Sequence, residues 1–354
     1  MPRILITGAG GSAASNFRDA IMLSGRDYEI VATDIRPYHL ELIEAEKKFI
    51  VPPVGEPGYL ERINEIIAVE AIDFVHPQPD PEVAFLAKHH DQLAAPTLLP
   101  DGDAVALCQD KMAFNAHMRA LGVPVPEAVH ITSQDDLRAA IDKLLGVSPR
   151  VWLRAIRGAG SRASLPIDSF YQADGWIDYW RSFRGLDYTD FMASELLPGH
   201  EFAWQSLWHN GELITSQARE RVEYFWGNHM PSGQSSSPSV AKTVNRDDVN
   251  RAGEAAVRAV SAKPNGVFCV DMKENAAGRP MITEINAGRF FTTSNFFAHA
   301  GINMPDMYVQ LGLGNELTET PPRYNPLPEN LYWIRMIDMG YRLVEEGQWS
   351  SIRT

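Results

Sequence analysis

Over the first hundred residues, short apolar runs alternate with helical patterns: "RILIT", "YEIVAT", "KFIV" and "AIDFVHP", with helices after Ser12, around Tyr59 to Val69 and from Pro81 to Leu93. Strands separated by helices in this way predict a doubly wound parallel sheet. "LLPDGD" at 98–103 closes that unit, and "DKMAFNAHMRALGVPVP" reads as a helix ended by Gly122 and a proline-punctuated exit.

The pattern then changes. "SQDDLRAAIDKLLG" is a helix with Ser133 and Asp136 as a capping box and Gly146 as its stop. Strand-like segments follow: "RVWLRAI", "RASLPI", "FMASELL", "HEFAWQSLWHNGELITSQARERVEYF", "GVFCVDMKEN" and "RPMITEIN". An antiparallel sheet carrying a few helices fits them better than a second parallel sheet. After a helix over 246–261 and the last two strands, "TPPRYNPLPEN" connects to a terminal strand, "LYWIRMIDM". The expected division is a Rossmann-like unit over 1–105, a two-lobed unit over 106–320 with its small lobe at about 127–196, and a connector and strand over 321–354 that packs back on the core.

The chain has 354 residues, enough for two or three domains with proper cores, and its net charge of -13 argues against a partner held by phosphate contacts such as nucleic acid. Cys108 and Cys269 lie far apart in apolar surroundings and suggest neither a disulfide framework nor a zinc site. No charged leader or membrane-length apolar run is present, so a cytoplasmic protein without a membrane partner is expected.

The opening "ILITGAGGSAASNF" raises the dinucleotide question, with Thr7, Gly8, Gly10 and Gly11 before a helix and Asp34 placed to touch a ribose. The third glycine position holds Ala14. Short-chain dehydrogenases share this opening but need a Tyr-x-x-x-Lys pair for proton transfer, and no tyrosine here has a lysine four residues later. The turn reads mainly as close helix–sheet packing. An NAD(P)-dependent oxidoreductase is kept as an alternative, as is a nucleotide-binding protein without catalysis.

Chemistry concentrates later. A two-residue turn centred on Ala277 and Gly278 sets Asp271 opposite Glu284, with Asn286 on the same face. Like charges facing across strands call for a cation, and oxygen-only ligands select a hard one such as Mg²⁺. The bland account is a solvated sheet face with each acid satisfied by Lys273 or water. "VWLRAIRGAGSRAS" is a strand bearing Arg154, then a loop with Gly158, Gly160 and Ser161 whose amides can wrap a polyphosphate, or a glycine hairpin without a ligand. In "MASELLPGHEFAWQ" the crossing at Glu195, Leu196 and Leu197 exposes backbone for an adenine edge, and Glu201 can accept ribose hydroxyls. Arg219 and Arg221 share one face of a strand, suited either to a substrate carboxylate or to a surface charge ladder.

In this order the elements resemble the ATP-grasp superfamily, most closely the synthetase units of the carbamoyl-phosphate synthase large subunit. The resemblance covers nearly the whole chain and implies a Rossmann-like pre-ATP-grasp domain followed by a two-lobed ATP-grasp fold. It implies a phosphate-contacting basic residue at Lys111 in "DKMAF" and the strand cation at Arg154, arginine being the carbamoyl-phosphate type. It also implies an adenine hinge at Glu195 to Leu197, a ribose acid at Glu201, and metal ligands Asp271, Glu284 and Asn286. Its catalytic arginine falls on Arg289 only with one extra residue, because "EINAGR" departs from Glu-x-Asn-x-Arg. With one grasp unit and no glutaminase, carbamoyl phosphate synthesis itself is not expected.

The implied activity is an ATP- and Mg²⁺-dependent (or Mn²⁺-dependent) carboxylate–amine ligase, in which Arg154 and Arg289 assist phosphoryl transfer to a small-molecule carboxylate and an amine captures the acyl phosphate. Related enzymes are often dimers, so a homodimer is an expected assembly.

Overall fold

The computed structural model describes residues 1–158, 163–233, 235, 237–337 and 340–345. Strands β1 (Arg3–Thr7), β2 (Glu29–Asp34), β3 (Lys47–Ile50) and β4 (Phe74–Pro77) form the expected parallel sheet in the order β3-β2-β1-β4. Alternate side chains feed opposite layers, as strand geometry requires. Leu5, Val31 and Val75 pack with Ile63, Ile66 and Ile67 of the helix Tyr59–Glu70 and with Val83 and Leu86 of the helix Asp80–Lys88. Ile4, Ile6 and Ile30 instead meet Phe17 and Ile21 of the helix Ser12–Met22, and Met304 and Tyr308 of the helix Met304–Gly312. A helix from the far end of the chain thus completes the first layer. The approach is close: a Cβ on Gly312 would lie 2.0 Å from the Phe74 ring.

A second sheet is antiparallel, built from β5 (Ala128–His130), β6 (Val151–Ala155), β7 (Leu165–Ile167) and β8 (Phe191–Glu195) in the order β5-β8-β6-β7. With the helices Gln134–Leu145 and Phe170–Arg184 it encloses a core of its own around Leu137, Val151, Leu153, Ile177 and Phe191. Ser133 caps the first helix by accepting from the Asp136 amide at 3.1 Å, but the Asp136 carboxylate turns to the Thr132 hydroxyl. The expected reciprocal box is therefore half made. The Phe170–Arg184 helix, rich in aromatics and interrupted by Gly175, has no clean apolar stripe in the sequence.

The third sheet has seven strands in the order β13-β12-β9-β10-β11-β14-β15: β9 (Glu201–His209), β10 (Glu212–Tyr224), β11 (Pro238–Val244), β12 (Gly266–Glu274), β13 (Pro280–Ala287), β14 (Leu331–Met336) and β15 (Gly340–Glu345). One face carries Phe202, Trp204, Val270 and Met272 against the helix Asp247–Val260. On the other face lie Ala203, Leu207, Val267 and Cys269, in the same core as the first sheet.

Asp271 pairs with Glu284 as expected, although by a different route. The turn is a three-residue loop with Gly278 at φ +73°, closed by the Asn275 amide on the Arg279 carbonyl at 3.0 Å. That loop alone would slip the register by one. A bulge between the Asp271 and Met272 pairings, which leaves Thr283 unpaired, restores it.

Candidate active site

One cavity of about 600 Å³ is lined by residues of both antiparallel sheets and by the turns that follow β1 and β4 of the parallel one. The strands deliver their side chains by alternation, which the Thr283 bulge shifts by one residue on β13. On β6, Val151, Leu153 and Ala155 enter the small-lobe core, while Trp152 and Arg154 face the cavity. On β13, Ile282, Ile285 and Ala287 are buried, while Glu284 and Asn286 reach the cavity. Cross-strand pairing aligns Glu284, Asp271, Ala203, Arg219 and Thr243 in one row over five strands. The small Ala203 side chain leaves room between the acid pair and Arg219, whose strands are about 10 Å apart.

The two acids have different surroundings. Asp271 Oδ1 accepts from Arg221 Nη2 at 2.7 Å, and Arg221 Nη1 also donates to Glu201 Oε1 at 2.9 Å. Burial, aided by Glu284 and opposed by Arg221, pushes Asp271 up to about 6. Burial works on Glu284 in the same sense but is outweighed by Lys111 and Arg154, which hold it below the ordinary carboxylate range. Lys111 Nζ stands 3.9 Å and Arg154 Nη1 4.0 Å from Glu284 Oε2, too far for hydrogen bonds. Lys111 is the first residue of the helix Lys111–Ala120, where a cation opposes the helix dipole. Its ammonium donates to the Gly158 carbonyl at 2.7 Å. Desolvation lowers the pKa of both Lys111 and Arg154.

The arginines Arg219 and Arg221, expected to act together, are divided by the structure. Arg221 is spent on Asp271 and Glu201, so it is not available to a substrate. Arg219 is only 1% exposed, stacks on Phe291 and donates to the Thr293 hydroxyl, while its Nε has no hydrogen-bond partner. No carboxylate pairs with it among the described residues. Burial and the neighbouring Arg221 draw it down to about 9, which still leaves it charged at neutral pH.

The extra residue in "EINAGR" does not remove Arg289 from the cavity. Its guanidinium binds both carboxylate oxygens of Asp80, from the first unit, and donates to Asn286 Oδ1. Glu195, Leu197, Glu201 and Gly158 line the same cavity, whereas Leu196 does not: its amide is held by the Arg150 carbonyl at 3.3 Å. Gly160 and Ser161 lie outside the described residues.

Sequence reasoning overlooked the part played by the opening turn. Gly8, Gly11, Ser12 and Ala13 form one wall, beside Gln78 and Asp80. Close packing does explain two of the glycines, since a Cβ on Gly8 would meet Pro79 at 2.0 Å and one on Gly10 would meet His39 at 2.3 Å. Asp34 is not free for a ribose: it accepts from the amides of Gly10 and Arg36, both at 3.1 Å, and contacts His39. The oxidoreductase alternative finds no support here. Trp152 and Thr292 on the cavity wall were not singled out either, because no local motif marks them.

Among solved structures, an L-amino acid ligase from Bacillus licheniformis superposes with a TM-score of 0.69 at 13% identity, covering 94% of this chain and 79% of that one. The N5-carboxyaminoimidazole synthetase from Staphylococcus aureus gives 0.66 at 14%, covering 94% and 81%. The chain has the ATP-grasp fold. Another protein similar to it is the biotin carboxylase domain of 2-oxoglutarate carboxylase from Hydrogenobacter thermophilus, bound to MgADP, ADP and bicarbonate (TM-score 0.68, 14% identity, 93% and 73% covered). Residues 4–97 match the family model of the PylC-like N-terminal domain. No curated protein matches in sequence. No helix among the described residues is long and apolar enough to cross a membrane.

Proposed function

We propose that the protein is an ATP-dependent carboxylate–amine ligase that activates its acid as an acyl phosphate. The observation that carries this reading is one cavity in which a register-matched acid pair, Asp271 and Glu284, lies with Lys111 and Arg154 facing Glu284, and with Arg219, unpaired with any carboxylate among the described residues, beyond. Arg154 on the strand before the glycine loop is the feature in common with the carbamoyl-phosphate synthase type.

The donor set suits magnesium. It is all oxygen, and among the described residues no three His, Cys, Asp or Glu side chains cluster as a self-sufficient cage. Two carboxylates plus the Asn286 amide, completed by phosphate oxygens, is how this hard ion is commonly held; Mn²⁺ fits the same set. When bound there, the ion supplies charge neutralisation on the β- and γ-phosphates.

The chain's own residues do the rest. Trp152, Pro126 and Leu197 offer the base an apolar slot, and Glu201 and Lys273 stand where the ribose follows. Lys111 and Arg154 take the phosphate tail. Arg219 holds the acid, whose oxygen attacks the γ-phosphorus as the bond to ADP breaks. Arg289, anchored by Asp80, faces the charge that develops on the transferred group. An amine then attacks the acyl carbon, loses a proton and expels phosphate.

The test is ADP release with a panel of carboxylates, with hydroxylamine trapping the acyl phosphate as a hydroxamate. ADP and hydroxamate forming in equal amounts is the expected result. ADP release without hydroxamate for every acid, or no release at all, refutes the ligase reading.

A further inference from the structure

The backbone donors of the opening turn can be accounted for almost completely. Ala9 N–H bonds the Thr33 carbonyl, Gly10 N–H bonds Asp34, Gly11 N–H bonds the Gly8 carbonyl, and Ser15 N–H bonds the Gly11 carbonyl. The amides of Ser12, Ala13 and Ala14 head the helix Ser12–Met22, where no intrahelical acceptor exists. Gly11, at the N-cap, has no side chain to cap them, and the first turn contains no acid. Ser12 and Ala13 open onto the cavity.

A second observation is independent of that helix end. Arg219, on the same cavity, is a buried cation with an unpartnered Nε and no carboxylate paired to it among the described residues. The two places are linked through one short segment: Asn16, in the second turn of the helix, donates to the Thr292 carbonyl, and Arg219 donates to the hydroxyl of Thr293. Asp80, which lines the cavity from the leading unit, is already paired with Arg289. Asp271, whose charge reaches Arg219, is hydrogen-bonded to Arg221, and Asp34 is taken by the Gly10 and Arg36 amides, so among the described residues neither carboxylate is bonded to Arg219 or to the Ser12 and Ala13 amides.

Resting on the ligase reading, we infer that the acid substrate is a compact dianion: one carboxylate lies on Arg219 and is phosphorylated, while a second anionic group sits on the Ser12 and Ala13 amides. The second group is a carboxylate or a phosphate, since aligned helix-end amides receive either.

Ser12→Pro tests this, because proline at the first helical position deletes one N–H while keeping the helix, and Gly11 already has the extended backbone (φ -84°, ψ 149°) that a residue before proline prefers. Calorimetry in the presence of ADP and Mg²⁺ compares glutarate, 4-phosphonobutyrate and the half-amide glutaramate. In the wild type, one of the two dianions should bind about tenfold tighter than glutaramate, and which one does identifies the second group. Ser12→Pro should remove that advantage and leave ADP and glutaramate unchanged, whereas Ser12→Ala, which keeps the amide, should bind as the wild type does. If Ser12→Pro fails to fold, Ala13→Glu places a competing acid on the same amides and should have the same effect. Equal binding of dianions and half-amide, binding of none, or an unchanged dianion preference in the folded variant overturns the inference. Retention of the preference without any ADP release from ATP would sink the ligase reading and leave the second anion site standing.

Discussion

Arg219 and Arg221 are two residues apart on one strand, yet their environments predict opposite responses to the same replacement. Arg219 is buried without an anion, and a charge held that way costs stability. Arg219→Met should therefore raise the urea midpoint, by about 1–3 kcal/mol in unfolding free energy, while abolishing acid-dependent ADP release. Arg221→Met strips Asp271 and Glu201 of their shared partner and should cost about 3–5 kcal/mol. Urea unfolding of both variants checks this. Equal destabilisation would mean that Arg219 serves the fold and not a ligand. The sequence shows that both arginines share a face, but not which is spent, because that depends on Asp271 and Glu201 arriving from strands 20 to 50 residues away.

Among the elements, the β12–β13 hairpin shows how far local pattern reaches. Alternation about a two-residue turn in "NAAG" predicts that Asp271 meets Glu284, but the actual loop reaches that pairing only through the Thr283 bulge, which leaves no mark in composition. Leu196 shows the limit from another side: it looks like its neighbours in "SELLPG", yet the small-lobe sheet takes its amide. The helix Asp247–Val260 carries its own prediction. Glu254 accepts from Tyr324, Arg258 and Arg323, tying the connector to the helix, and although burial works against ionisation these partners keep its pKa below the ordinary range. A depressed folded-state pKa contributes stability above the unfolded value, lost as pH falls through the folded one. Glu254→Gln should thus lower stability at pH 7 and flatten its decline below about pH 4.3, the usual glutamate value. Unfolding curves from pH 7 to 3 decide it, and parallel declines in both proteins would show the cluster to be inert.

At the scale of the whole molecule, the parallel sheet and the seven-stranded sheet are joined by cores that interleave the two ends of the chain, with Met304 and Tyr308 under the first sheet, while the small lobe keeps a core of its own. The layer sequence was legible because period-2 and period-3.6 patterns are local. The cavity wall made by Gly8, Gly11, Ser12 and Ala13 was not, because only the closed fold brings that helix end onto the same cavity as Arg219. A ligand seated between three sheets should stabilise them together: ATP with Mg²⁺ at a hundred times its Kd adds about 2.7 kcal/mol and raises Tm, and NADH at the same concentration leaves it unmoved. A shift with NADH alone would reverse the functional assignment. Whether Asp271, Glu284 and Asn286 hold the divalent ion of a bound nucleotide is read out by electron paramagnetic resonance of Mn²⁺ titrated into the protein with ADP. The wild type should remove Mn²⁺ from the free pool only when nucleotide is present, and Glu284→Gln, folded by circular dichroism, should leave it free. Equal Mn²⁺ uptake by the variant would contradict the account.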